Sequence, residues 1–347
     1  MSTAPTMTAD VVVAGGGPIG LATAVEARIA GLDVVVVEPR PGPVDKACGE
    51  GIMPGALAAL HRLGVDPPGW DLAGITYVDA AGRRVDHAFH DGPGRGVRRT
   101  ALHEALGARA DELGVMRLQA RVTAVEQDRD GVTVAGVRAR WLLAADGLHS
   151  TVRRLVGLDG SRPAGAPRRR FGLRRHVATA PWSDRVEVHW ARHAEAYVTP
   201  VGPELVGIAV LGPPHTDWAQ TLAELPCLAE RLAGARPVGP MMGAGPLHQV
   251  TTARTAGRVA LVGDASGYVD ALTGEGLRVG LAQAHAAVST LGDPRAYERA
   301  WRAVTRDYRL ITRGLLAWAG SPARTGVVAA ARGMPWLYGA VVERLAR

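Results

Sequence analysis

Apolar residues fall into runs of two periodicities. Positions 11–14 and 34–37 are short, unbroken, β-branched runs, the mark of strands buried on both faces. The Ala-rich stretch 21–31 between them has helical length. With the turn Gly15-Gly16-Gly17-Pro18-Ile19-Gly20 they make a strand-helix-strand unit. Gly15 allows the tight turn, Gly17 lets the backbone approach a pyrophosphate, and Gly20 lets the helix pack closely on the strand. The N–H groups at the helix start then hold the phosphates. Glu38, at the tip of the second strand, can accept both hydroxyls of a ribose. It would repel a 2′-phosphate, so the unit favours FAD or NAD(H) over NADP(H) as its bound dinucleotide.

Further along, a stiff loop at 39–43 leads to Lys46-Ala47-Cys48-Gly49-Glu50-Gly51. The pattern predicts helices over about 55–63, 100–113 and 275–291, each bounded by glycine or polar residues. Positions 74–79 and 83–89 read as a hairpin, and 90–96 as a loop. A β-meander is expected over 115–144, in segments 115–118, 120–127, 132–135 and 139–145, the last apolar throughout as a buried central strand should be. It enters a short helix through Asp146, Gly147, Ser150 and Arg153. From 168 to 211 the chain alternates through 171–177, 185–190, 196–199 and 205–211, which predicts an antiparallel sheet outside the first domain. Polar helices are expected over 216–233, another buried strand over 258–262 ending at Asp264, and amphipathic helices thereafter.

The 347 residues suffice for one large or two ordinary domains. A net charge of +7 raises nucleic acid as a partner, but the arginines are scattered, aromatics are only 5%, and no nucleic-acid module is recognisable. Lys46 is the single lysine. Two cysteines, Cys48 and Cys227, make no disulfide framework, and positions 1–9 lack the regions of a signal peptide, so a cytoplasmic protein is expected. Arg324, Arg332 and Glu343 interrupt the apolar stretches near the C-terminus, leaving no bilayer span. Peripheral membrane contact and the oligomeric state stay open.

Glu38, Asp146 and Asp264 sit at or just beyond strand ends, where a parallel sheet binds its ligand. In this order the motifs resemble the FAD-dependent oxidoreductases with the glutathione-reductase-type FAD fold, in the group of aromatic hydroxylases and geranylgeranyl reductases. Gly15-x-Gly17-x-x-Gly20 with Glu38 is similar to their ADP clamp. Arg99 with the helix through Leu106 resembles the element that touches the FAD, Ala145-Asp146-Gly147 the Asp-Gly motif, and Gly263-Asp264-Ala265 the motif whose Asp binds ribityl hydroxyls. Residues 263–276 and 46–51 are similar to the geranylgeranyl reductase version, whereas aromatic hydroxylases usually carry His and Pro where this chain has Ser266 and Ala271. The resemblance implies an α/β fold. An FAD-binding Rossmann-like domain would comprise 1–73, 97–165 and 246–293, an antiparallel-sheet substrate domain 74–96 and 166–245, and C-terminal helices 294–347.

It also implies FAD, held by Gly15, Gly17, Pro18, Ile19, Gly20, Glu38, Pro39, Arg40, Cys48, Gly49, Arg99, Val122, Asp146, Gly147, Gly263, Asp264, Gly274, Glu275, Gly276 and Leu277. Gly274 and Gly276 would bring N–H groups to the N1/O2 edge of the flavin, where a positive helix end stabilises the reduced anion. Glu275 is read as a cap on that helix. Cys48 is a proton donor or packing group over the flavin, or a small buried hydrophobe. Lys46 attracts the phosphates of a visiting nucleotide or is simply solvated. There is no second glycine fingerprint, so NADH or NADPH is expected to visit transiently.

The alternating segment offers His176, His189, Trp190 and Tyr197 to a small apolar or aromatic substrate. Cys48, His189 and Tyr197 are the candidate catalytic residues, and no metal constellation is visible among the His and Cys residues. Two functions follow. One is an NAD(P)H-driven monooxygenase on an aromatic or polyketide-like molecule, favoured by the compact length. The other is a reductase of isoprenoid or other apolar double bonds, favoured by the Cys48 loop. The Trp-x-Trp-x-Ile-Pro element of flavin halogenases is missing, and the Asp146-Gly147 and Gly263-Asp264 motifs argue against a purely partner-binding relative such as the Rab GDP-dissociation inhibitors.

Overall fold

The β-branched runs fold as their pattern demands in the computed structural model, which describes residues 7–161 and 169–347. β1 (Met7–Ala14) turns through the glycines into α1 (Pro18–Ile29) and returns as β2 (Val34–Val37), with Val11 opposite Val34 in a parallel pair. Next come β3 (Gly51–Ile52), α2 (Pro54–Arg62), β4 (Trp70–Leu72), β5 (Gly74–Asp79), β6 (Arg84–Ala88), β7 (Gly94–Gly96) and α3 (Arg99–Glu112). Then follow β8 (Met116–Leu118), β9 (Glu126–Gln127), β10 (Val132–Val134), β11 (Val137–Ala144) and α4 (Thr151–Leu155). The second half holds β12 (Phe171–Ala178), β13 (Arg185–Trp190), β14 (Glu195–Gly202), β15 (Leu205–Gly212), α5 (Trp218–Ala223), α6 (Pro226–Arg231), β16 (Arg236–Ala244), β17 (Thr255–Ala256) and β18 (Val259–Leu261). It ends in α7 (Gly276–Ser289), α8 (Pro294–Ala319), α9 (Val327–Gly333) and α10 (Pro335–Ala346).

The first sheet runs β17-β18-β11-β1-β2-β8, with β10 and β9 added beside β11. Strand side chains alternate, so both faces are buried. Val11 and Val13 pack with Leu21, Leu106 and Leu281 from α1, α3 and α7. Val12 and Ala14 face Val132, Val134 and Val152 on the other side. The parallel direction brings the carboxyl ends of β1, β2, β11 and β18 to one edge, which therefore carries Gly15, Glu38, Asp146 and Asp264.

The second sheet, β16-β12-β15-β14-β13-β5-β6, is antiparallel except for the β13–β5 pair. Val186, Val188 and Trp190 on one face meet Val269, Leu272 and Tyr308. Ala196, Val198, Ile208 and Val210 on the other are covered by Leu225 and Leu228. The amphipathic α8 straps the two layers together: Tyr297 and Trp301 join the core of the first sheet, Tyr308 and Leu316 that of the second.

Four sequence expectations change. Residues 115–144 are not one meander, because β8 pairs in parallel with β2 at the far edge, away from β9, β10 and β11. Residues 120–125 form no strand, their side chains being exposed or half-buried with no face to cover. The 90–96 loop contains β7, which pairs with β3 and β4. β16 was unforeseen because of Pro237 and Pro240, which an edge strand alone tolerates. The expected domain boundary at 165/166, the start of the alternating segment and positions 1–6 lie outside the described residues. Among the described residues, no helix is long and apolar enough to cross a membrane.

Candidate active site

The turn after β1 is built by steric necessity. Gly15 has φ +100°, and a Cβ there would sit 2.6 Å from the Ala145 carbonyl oxygen. A Cβ at Gly20 would lie 1.8 Å from the Gly15 carbonyl oxygen, so Gly20 lets the helix close on the turn itself. Gly17 differs: the nearest atom to a Cβ there is an Arg99 terminal nitrogen at 3.7 Å, and no side chain caps the start of α1. The first-turn N–H groups are thus left for an anion, Pro18 having none to offer. Ile19 packs on Gly263 and Gly280. His103 on α3, unnoticed in the sequence, donates from Nε2 to the Gly16 carbonyl at 2.8 Å and pins the turn from below.

At the next strand end, Glu38 accepts the Gly16 N–H at 2.9 Å and, from Arg40, the backbone N–H at 3.1 Å and Nε at 2.7 Å. Burial pushes its carboxyl up, but these hydrogen bonds prevail and hold it below the ordinary carboxylate range. Pro39 between them is half-buried, and Val122, past β8, packs against the core on the second face of the sheet. Asp146 turns inward: it accepts from the Ser150 hydroxyl and from the N–H groups of Thr151 at 2.7 Å and Val152 at 3.0 Å, so it caps α4. Gly147, with φ +84°, leaves its open side to Lys46, whose Nζ would be 3.9 Å from a Cβ there. Arg153 joins the motifs, binding Asp159 at 2.6 Å, the Ala265 carbonyl at 3.2 Å and Gln249 at 3.1 Å.

Asp264 follows β18 and the positive-φ Gly263. Its side chain makes no hydrogen bond among the described residues, and burial raises its carboxyl against the pull of Arg99 and Lys46. Arg99 Nε is buried without a partner. An acid and a cation with unmet bonding capacity, beside an uncapped helix end and a glycine with open space, fit a polar, phosphate-bearing ligand such as FAD.

Gly274 has φ +69°, and α7 begins at Gly276, where a Cβ would be 3.6 Å from the Tyr268 ring. Glu275 stands at the start of α7 but, contrary to the expectation, does not cap it with its side chain; it pairs with Arg278 and leaves Oε1 buried without a partner. Burial pushes its carboxyl up to about 7. Leu277 packs into the first core.

Cys48 is half-buried, and its sulfur accepts the Glu50 N–H at 3.4 Å. Burial raises the thiol pKa against the attraction of Arg99, so it stays a thiol. Gly49 is exposed, and its carbonyl accepts the Thr199 hydroxyl at 2.8 Å.

The structure separates the two strand candidates. Tyr197 faces the site: its hydroxyl donates to the Leu272 carbonyl at 2.8 Å, and burial first, then Glu195, lifts its pKa well above the phenol range. His189 lies on the opposite face, buried 3.0 Å from Glu187 beside Trp182, Cys227 and Leu228, and cannot reach the Cys48 loop, so it loses its catalytic candidacy. His176 is a positioning residue. An Arg174 guanidinium nitrogen, which can only donate, lies 3.1 Å from its Nδ1, so Nε2 carries the proton and donates to Glu50 at 2.6 Å. The other Glu50 oxygen accepts the Arg99 N–H at 2.9 Å. The only hint in the sequence was a charged residue between Gly49 and Gly51, where Glu50 adopts φ +60°.

A family profile described as an FAD binding domain matches residues 8–300. Menaquinone reductase of Mycolicibacterium smegmatis is 30% identical over 341 residues, 86% of this chain and 81% of its own. Para-nitrophenol 4-monooxygenase of a Pseudomonas strain is 32% identical over 181 residues, 43% of this chain and 42% of its own. Among solved structures, a triple mutant of a flavin-dependent brominase superposes with a TM-score of 0.83 at 18% identity, over 97% of this chain and 94% of that one. An uncapped phosphate turn, an unpaired acid and arginine behind it, and a profile spanning both sheets place the chain in the FAD-binding-domain family of FAD-dependent oxidoreductases.

Proposed function

We propose that the chain is a cytoplasmic, NAD(P)H-driven FAD monooxygenase that hydroxylates an aromatic or polyketide-like small molecule. The observation that carries this reading is the tight docking of the second sheet on the site loops. Thr199 binds the Gly49 carbonyl and Tyr197 the Leu272 carbonyl, each at 2.8 Å. Tyr197, Tyr268 and Met53 form an apolar wall close to Gly274, and the neutral Cys48 thiol adds no charge to it. Such a wall suits a flat ring and excludes water.

On this reading the first-turn N–H groups of α1 hold the pyrophosphate, Glu38 the ribose, and Arg99 and Asp264 the middle of the cofactor. FAD supplies the hydride acceptor and the oxygen chemistry. The chain orients the substrate against Tyr197, keeps water out, and presents the positive end of α7 through Gly274 and Gly276. The exposed Lys46, flanked by Arg40 and Arg99, offers positive charge to the phosphates of a transient NADH or NADPH.

A second reading, reduction of an apolar double bond, is favoured by the protonated Cys48 beside Arg99 and by the long match to menaquinone reductase. Turnover with 18O2 decides between them. Label in the product, with no turnover under anaerobic conditions, supports hydroxylation; anaerobic conversion of substrate with loss of NAD(P)H overturns it in favour of reduction.

A further inference from the structure

Away from the flavin crevice, a second group of side chains converges where the β5–β6 hairpin meets α10. His87 on β6, His90 just beyond it and Glu343 on α10 each offer one ligand atom within 4.8 Å of the other two. Glu343 is the buried centre. Its Oε1 lies 2.8 Å from His87 Nε2 and 3.9 Å from His90 Nδ1, and it accepts the His90 backbone N–H at 3.1 Å. Gly339 permits this approach, since a Cβ there would stand 2.8 Å from the His87 ring. Tyr338, edge-on to the same ring with centroids 6.2 Å apart, fixes its orientation.

Two imidazoles and one carboxylate are a donor set for a borderline divalent transition ion, Zn2+ above all, which takes such ligands at about 2.0–2.2 Å. His90 is exposed, and the cluster sides an open groove of about 460 Å3, so a fourth position remains for solvent. Arg344 and Arg347 also line the groove, but Asp307 at 2.6 Å and Asp91 at 3.4 Å neutralise them, which removes the electrostatic objection to a cation. The sequence showed no constellation because Glu343 stands 253 positions from His90.

We propose that His87, His90 and Glu343 form a Zn2+ site that clasps the C-terminal helix α10 to the β5–β6 hairpin. On binding, His87 turns its Nε2 lone pair to the ion and carries its proton on Nδ1. The hydrogen bond from His87 to Glu343 preorganises the site, and the ion bridges what that bond already holds close.

The test uses untagged full-length protein, stripped with a chelator and titrated with Zn2+ against a chromophoric chelator, with melting curves alongside. The expected result is one Zn2+ per chain at a Kd of about 1 μM or tighter, and a Tm that rises with Zn2+. His90→Ala removes an exposed side chain that the metal-free fold does not need. It should fold normally, bind at least about 100-fold more weakly and lose the Zn2+-dependent rise in Tm. Cys227→Ser should leave the stoichiometry unchanged. Less than stoichiometric binding at about 10 μM Zn2+, binding that survives His90→Ala, or binding lost with Cys227→Ser would each overturn the site.

Discussion

Glu50→Gln is the sharpest perturbation of the connection between the two sheets. Glu50 is 4% exposed and serves two donors at once, His176 Nε2–H and the Arg99 N–H. A glutamine has one acceptor oxygen, so one donor must face its NH2 group. The imidazole cannot relieve the conflict by changing tautomer, because Arg174 donates to Nδ1 and fixes the proton on Nε2. One buried donor is therefore left unsatisfied, at a cost of about 1–3 kcal/mol, against at most about 0.5 kcal/mol for a comparable change at an exposed position. Thermal unfolding of the flavin-free protein should show a Tm lower by roughly 1.5–4 °C. In a double-mutant cycle with His176→Phe, the coupling should be at least about 1 kcal/mol, because the two side chains share one hydrogen bond. A Tm within about 1 °C of wild type together with additive single mutants would refute the fixed-tautomer reasoning.

Four other outcomes are expected. Gly17→Asp places a carboxylate in the open space facing Arg99 and should abolish flavin binding in equilibrium dialysis while the far-UV spectrum stays native. Gly15→Ala, driven into the Ala145 carbonyl at 2.6 Å, should instead lower expression and Tm. Glu275 is raised by burial from 4.5 to about 7, so the folded state holds an extra proton between those values. Its stabilising contribution is complete below pH 4.5 and falls as the pH climbs through about 7. The stability difference between Glu275→Gln and wild type, followed by urea denaturation across that range, should therefore shift by roughly 2–3 kcal/mol in favour of the variant. Cys48→Ala should leave oxygen-dependent turnover within about threefold of wild type if the thiol only packs; loss of anaerobic turnover would mark the reductase chemistry.

What was readable in the sequence follows the range of the forces involved. Gly20 could be assigned because the clash it avoids lies within the same turn, where its Cβ would meet the Gly15 carbonyl; the Ala145 carbonyl that crowds Gly15 comes from another strand, and at Gly15 only the need for a tight turn was local. The places of Glu38 and Asp264 after strands, and of Gly274 just before a helix, were legible because the elements they flank have a plain period. Glu50–His176 and His87–Glu343 were hidden, because 126 and 256 positions separate the partners and only the docking of one sheet or helix on another brings them together. Asp146 lies between these cases. Its place at a strand end was visible, but the competing demand of the start of α4 was not: two N–H groups there took one oxygen and the Ser150 hydroxyl took the other.

The strand candidates show where local reasoning could have gone one step further. β13 and β14 pair antiparallel with Trp190 opposite Glu195, His189 opposite Ala196 and Val188 opposite Tyr197. Directly opposed residues share a face and neighbours alternate. Tyr197 therefore stands on the face of Val188, and His189 on the other. The connection between Trp190 and Glu195 fixes that parity, so His189 and Tyr197 could not both have faced one substrate, whatever the rest of the fold did. Burial then decides which face is which. The Tyr197 face carries Trp190 and Val188 onto Val269 and Leu272, beside the loop that leads to Gly274, whereas the His189 face is closed by Leu225 and Leu228. The side chain that the register keeps is a half-buried tyrosine with its hydroxyl spent on a carbonyl. It can orient a ring by packing but is poorly placed to take a proton. If the proposed hydroxylation holds, a Tyr197→Phe variant should accordingly alter KM or the position of oxygen insertion more than kcat, and a fall in kcat of about 100-fold with KM unchanged would show that the hydroxyl acts in the chemistry.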